Sequence, residues 1–183
     1  MIYVIGIIIL LLVICFFVLF FKYVKLKDYQ KSLDMCSISI DDLLTKKLEL
    51  VNSLISDLNN EKIKNDFNYD KTGSIYERED ALFNVGFEIN KYIKDSHFDN
   101  KRKKKNKKDE EIHFSDEIMN KVRSLNKLEE DVDGLKDYYN ANVLNYNEVY
   151  LKKNFNKFFK LLRFPVYKSF KIRKLEEYEI FKN

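Results

Sequence analysis

From Ile2 to Phe21 the chain holds only uncharged side chains, nearly all of them large and apolar. The first charged side chain is Lys22, and there the pattern turns from unbroken to periodic. Leu33, Cys36, Ile40, Leu44, Leu48, Val51, Ile55 and Leu58 recur at steps of three and four, which sets them on one face of a helix. No glycine or proline lies between Gly6 and Gly73, so the helix predicted over 22–66 continues the apolar stretch. The turn residues of NYDKTGS at 68–74 end it. Leu82, Val85, Ile89 and Ile93 mark a second helix over 75–95, and residues 97–111 read as a polar, lysine-dominated loop. A third long helix over 112–152 carries Ile118, Val122, Leu125, Val132, Tyr139, Val143, Tyr146 and Tyr150 on its inner face. In the tail, 153–183, Phe155, Phe158, Phe159 and Leu162 share one side of a short helix that Pro165 interrupts. No stretch alternates with period two. The expected fold is all-α: a transmembrane helix, then an antiparallel bundle of three long helices and a short C-terminal one.

Residues 1–21 make about 31 Å of helix, the thickness of a bilayer's hydrocarbon core. A cleaved signal peptide would show a basic n-region and a small-x-small site, and neither is present. A lipoprotein would need a small residue before Cys15, where Ile14 stands. Lys22, Lys25 and Lys27 follow the span, which predicts an N-terminus outside the plasma membrane and residues 22–183 in the cytoplasm. Two cysteines, one within the span and the other at Cys36, build no disulfide framework.

Charge changes this picture in two places. Residues 101–108 and 152–174 hold seven and nine of the 33 basic residues and none of the 29 acidic ones. The first run, KRKKKNKK, could meet nucleic-acid phosphates or anionic headgroups. It has no aromatic interleaving and no nucleic-acid motif, and a helical rod over 22–66 would carry it about 65 Å from the bilayer. It reads as a solvated loop, with no nucleic-acid partner. In the tail, aromatic residues fall on one side and lysines on the other, as in interfacial helices. Lys152, Lys153, Lys157, Phe158, Phe159, Lys160 and Arg163 are the candidate contacts for anionic lipid; the alternative is that these aromatics pack onto the end of the bundle.

Catalytic chemistry finds little material. His97 and His113 lack spaced Cys, His or carboxylate partners for a metal. Four glycines supply no phosphate-binding loop, and no nucleophile–base set can be assembled. No enzyme activity, cofactor or metal is expected.

Two blocks carry a family resemblance. IDDLLTKKLELVNSLI (40–55) is similar to the first signature of the LemA family, at Ile40, Asp41, Leu44, Lys46, Lys47, Leu50, Val51, Leu54 and Ile55. LEEDVDGLKDYYNANVLNYN (128–147) resembles the second, at Glu129, Val132, Lys136, Tyr139-Asn140 and Tyr146-Asn147. The chain departs from the pattern at Lys47, where the family usually has Arg, and at Asn52, where it has Pro. The family's Tyr-Pro turn before the third helix is missing, and the lysine run stands in that region. The resemblance implies a membrane-anchored helical bundle and supplies no active site.

Lys47 and Glu129 lie on apolar stripes, and buried charges need partners. Lys47, Glu129, Lys136 and Asp41 are therefore expected to pair between helices and fix their register, or else to line a charged ligand cleft. The Tyr-Asn pair at Tyr139-Asn140 returns seven residues later at Tyr146-Asn147, on the same face, and reads as a polar zipper between helices. The chain is expected to act as a membrane-anchored scaffold with a protein partner or a second copy of itself. The alternatives are an anionic-lipid-binding envelope component and a ligand-binding bundle.

Overall fold

The computed structural model describes residues 2–103, 114–152 and 156–173, which are helical with no strand among them. Five helices follow in order: α1 (Ile2–Leu58), α2 (Glu61–Asp66), α3 (Ile75–Lys103), α4 (Asp116–Tyr150) and α5 (Asn156–Leu161).

The apolar stretch and the periodic stretch form one helix, α1. It stops at Leu58, so the helix expected over 22–66 is divided. Asn59 adopts a left-handed backbone with φ 46°, which asparagine tolerates better than most residues. The Asn60 side chain then accepts a hydrogen bond from the Ile63 amide at 3.2 Å and starts α2. In the sequence these two asparagines look like surface positions of a continuing helix; their backbone roles depend on where α2 packs. The turn ahead of α3 is held by Asp70, which accepts from the Thr72 amide at 2.8 Å and, through its carbonyl, from the Gly73 amide at 3.2 Å. Ser74 and Glu77 form a reciprocal capping box, the Ser74 amide donating to Glu77 Oε2 at 2.8 Å.

α3 runs to Lys103, so residues 97–103 are helical where a loop was expected. Its apolar pattern fades after Ile93, yet lysine and arginine are good helix formers and no breaker intervenes. Residues 104–111 of that expected loop lie outside the described residues. Ser115 caps α4, accepting from the Ile118 amide at 3.3 Å.

The chain divides into two compact units. The first comprises Met1–Ser37 and Asp137–Ser169, the second Ile38–Lys136 and Phe170–Asn183. In the second unit Ile40, Leu44, Val51 and Leu54 of α1, Leu82, Val85 and Ile89 of α3, and Val122, Leu125 and Val132 of α4 are buried. Along α4 the buried positions step by three and four without a break: Val122, Leu125, Glu129, Val132, Lys136, Tyr139, Val143, Tyr146 and Tyr150. Two of the nine are charged. In α1 the corresponding step falls on Lys47 and Leu54, while Leu48 and Leu58 are only half-buried.

In the first unit Leu26, Leu33, Tyr139, Val143 and Tyr146 are buried together with Phe159 and Phe164 from the tail. Ser32 Oγ and Tyr138 Oη hydrogen-bond at 3.0 Å. α5 closes with a Schellman turn. The Phe164 amide donates to the Phe159 carbonyl at 3.3 Å and the Arg163 amide to that of Lys160 at 3.0 Å. The Phe159 and Phe164 rings meet edge to face at 5.7 Å, the apolar contact that accompanies such turns. Arg163 holds the left-handed position at φ 55°, where glycine is usual, and Pro165 follows.

At Asn59, replacement by valine places a β-branched side chain in the left-handed region. We expect about 1–2 kcal/mol of destabilisation, a fall of about 2–8 °C in Tm for a chain of this size. Asn59→Gly should leave Tm unchanged or raise it. Circular dichroism melts of the full chain in detergent check both.

Candidate functional site

The charged residues on the apolar stripes of the second unit form a ladder of ion pairs. Lys47 of α1 bonds Glu129 Oε2 of α4, and both residues are buried. Burial lowers the Lys47 pKa, with the Glu129 carboxylate working in the opposite direction. Glu129 Oε1 is buried with no hydrogen-bond donor among the described residues, so this pair rests on one carboxylate oxygen.

One α4 heptad on, Lys136 donates to Glu79 Oε1 of α3 at 2.9 Å, with both side chains almost fully buried. Arg173, beyond α5, reaches the same carboxylate through Nη2, at 2.9 Å from Oε1 and 3.0 Å from Oε2. Its Nη1 donates to Asp80 Oδ1 at 3.0 Å, and its guanidinium lies over the Phe83 ring, 3.5 Å from the centroid. Burial opposes the charge on Arg173, but Glu79 and Asp80 more than offset it and raise its pKa. Toward the surface, Arg78 pairs with Asp41 at 2.6 Å and Lys121 with Asp57 at 2.7 Å. Asn90 of α3 donates to Asn126 of α4 at 2.9 Å.

The structure therefore gives Asp41, Lys47, Glu129 and Lys136 each a partner on another helix, while Ile40 and Leu44 lie buried beside them. Sequence reasoning missed Glu79, Arg78, Asn90 and Arg173. The spacing from Glu79 through Leu82 to Ile89 and Ile93 was a usable signal for Glu79, because it continues the α3 stripe by one turn. Nothing local marks Arg173, which sits in a basic run and outside any helix.

In the first unit Tyr139 and Tyr146 are buried and Asn140 and Asn147 half-buried beside them. The Tyr146 hydroxyl donates to the Pro165 carbonyl at 2.7 Å, so its polar end is satisfied by the tail. Burial, followed by nearby Tyr150 and Asp34, raises the Tyr146 pKa. Tyr167 donates to Asp34 Oδ1 at 2.8 Å and packs edge to face on Tyr146 at 5.1 Å.

The tail is placed differently from its expected two-sided pattern. Phe159 is buried, but Phe158 and Leu162 share the outward side with exposed Lys157, Lys160, Leu161 and Arg163. The chain turns at Arg163, so one helical face cannot order all these residues. Lys152 is exposed; Lys153 and Phe155 lie outside the described residues.

Two clefts open in the second unit. One, of about 450 Å³, is lined by Ile63, Phe67 and Val85 together with Glu77 and Glu88. The other, of about 410 Å³, is lined by Asn52, Ile55, Ser56, Asn59, Asn60, Lys64 and Phe67. Lys47 and Glu129 line neither. Among the described residues no group of three or more His, Cys, Asp or Glu is disposed to hold a metal ion.

Replacing Lys47 or Glu129 alone strands a buried charge and should cost about 3–5 kcal/mol. The double change Lys47→Met with Glu129→Leu should be neutral or stabilising by about 1–4 kcal/mol. Glu79→Leu leaves Lys136 and Arg173 buried without their shared carboxylate, and we expect the largest loss of the set. Thermal unfolding of the four variants in detergent measures the order.

Comparison with protein-family models, with curated proteins and with solved structures finds no match for this chain.

Proposed function

We propose that this chain is a LemA-type, single-pass membrane protein whose helical domain serves as a non-enzymatic scaffold at the cytoplasmic face of the plasma membrane. The observation that carries the membrane reading is the exposure of the first part of α1. Sixteen large apolar side chains from Tyr3 to Phe21 stand open, from 42 % exposed at Val18 to 88 % at Tyr3. Leaving such a side chain in water rather than burying it costs about 1.5–3 kcal/mol. The sum is tens of kcal/mol, more than the ~5–15 kcal/mol of a whole domain's stability. An apolar phase must cover them, and a bilayer suits one helix of this length.

An antiparallel bundle is supported by the partners along the second unit. Lys47 and Asp57 of α1 meet Glu129 and Lys121 of α4, so numbers rise on one helix as they fall on the other. Glu79 and Asn90 of α3 meet Lys136 and Asn126 in the same sense. The scaffold reading draws on the charged block residues Asp41, Lys47, Glu129 and Lys136, each of which is engaged by a partner within the chain. The relation to that family rests on residues 40–55 and 128–147 alone.

The anchor is tested by single cysteines in a chain lacking Cys15 and Cys36. Tyr3→Cys should react with a membrane-impermeant maleimide on intact cells and Ser56→Cys only after permeabilisation; the reverse pattern overturns the orientation. For the scaffold, Lys47→Met with Glu129→Leu should leave the proteins cross-linked to the chain in cells unchanged. Loss of them without loss of fold would instead assign the ion pair to a binding cleft.

A further inference from the structure

α1 leaves its apolar stretch at Phe21, and two residues later the Tyr23 ring meets Phe164 edge to face at 5.6 Å. Lys27 Nζ lies over the same Phe164 ring, 5.1 Å from its centroid. The turn that closes α5 is thereby fixed within about 3 Å, measured along α1, of the end of the apolar stretch. The helix lengths agree. From Ser32 back to Phe21 is about 16 Å of α1, and from its partner Tyr138 on to Tyr150 about 18 Å of α4. The end of α4 and the Schellman turn thus share one level, that of the span's exit.

What this level presents outward is unlike an ordinary water-facing surface. Leu161 is 79 % exposed, Leu162 43 % and Phe158 38 %, and Val166 beyond the turn is 73 % exposed. Among them stand exposed Lys157, Lys160 and Arg163, none in an ion pair among the described residues. Arg163 occupies a left-handed backbone position that glycine would fill without strain. A strained site filled by a cation suggests that the charge is wanted there. Apolar side chains with basic residues beside them are the composition of a segment seated between headgroups and acyl chains.

We propose that residues 156–166 form an interfacial collar, seated on the anionic headgroups of the bilayer that α1 crosses. Leu161, Leu162 and Phe158 dip toward the acyl region, and Lys157, Lys160 and Arg163 meet lipid phosphates. This rests on the membrane-anchor reading, and continuity with the span is what selects the occupant.

The chain contains no tryptophan, so a single one reports its own depth. The full chain bearing Leu161→Trp, and separately Phe16→Trp, is placed in nanodiscs of neutral or anionic lipid, with bromine at shallow or deep acyl positions. Phe16→Trp should be quenched by deep bromines. Leu161→Trp should emit further to the blue than in detergent and lose most of its emission to shallow bromines in anionic discs. Quenching should weaken in high salt. Arg163→Gly, which relieves the backbone, combined with Lys157→Glu and Lys160→Glu should lower the quenching to the neutral-disc level while Tm holds. If Phe16→Trp is not quenched, the anchor fails and the collar falls with it. If Phe16→Trp is quenched and Leu161→Trp emits as in water, the anchor stands and the collar is overturned, leaving the face open to a protein partner. Equal quenching in neutral and anionic discs overturns the headgroup recognition.

Discussion

The carboxylate of Glu79 receives two buried cations, Lys136 from α4 and Arg173 from the segment beyond α5. Taking an ion out of water costs several kcal/mol even after relaxation, so the three stabilise one another, with Asp80 on Arg173 and Asp133 on Lys136 as lesser partners. Three separate pieces of chain must therefore arrive together. A one-residue slip of α4 turns Lys136 by about 100° and moves it about 1.5 Å along the axis, which removes it from Glu79. Apolar residues alone would not penalise such a slip as sharply, because leucine and valine tolerate many neighbours.

The Lys47–Glu129 pair applies the same constraint to α1 and α4, with one difference. Glu79 has both oxygens engaged, whereas Glu129 leaves Oε1 without a donor among the described residues. The first site is closer to self-sufficient, and the second is held by the packing around it. Glu129 answers to one buried partner, Lys47, while Glu79 answers to two at once. Arg173 adds a flat contact with Phe83, so the end of the described chain is tied by both charge and ring.

In the first unit aromatic packing does the corresponding work. Tyr146 stands among Tyr150, Tyr167 and the Pro165 carbonyl, and Phe164 joins Phe159 to Tyr23. Each ring supplies apolar area and a limited choice of angles. The tail that reads in sequence as a basic, two-sided short helix is held by a few such contacts, and its outward side keeps the residues those contacts do not use.

The helices were legible because their signal is periodic and repeated. Eight apolar positions from Ile118 to Tyr150 agree on one face, and the uncharged run at 2–21 is long and apolar enough to cross a membrane. The charged positions on the stripes were visible too, since Lys47, Glu129 and Lys136 interrupt a pattern that would otherwise be apolar. Their partners were not all visible. Glu79 continues the α3 stripe by one turn, a signal that marks its face but not its partners, and Arg173 is one basic residue among nine. The break at Asn59-Asn60 and the inward turn of Phe159 depend on what packs nearby, and α3's extension to Lys103 on the absence of a breaker rather than on a pattern. The sequence by itself determined where the long helices lie and which faces seek cover, because backbone geometry makes those properties local. Only the tertiary structure decided which charges meet, since an ion pair joins residues as far apart as Glu79 and Arg173, and spacing along the chain carries no record of it.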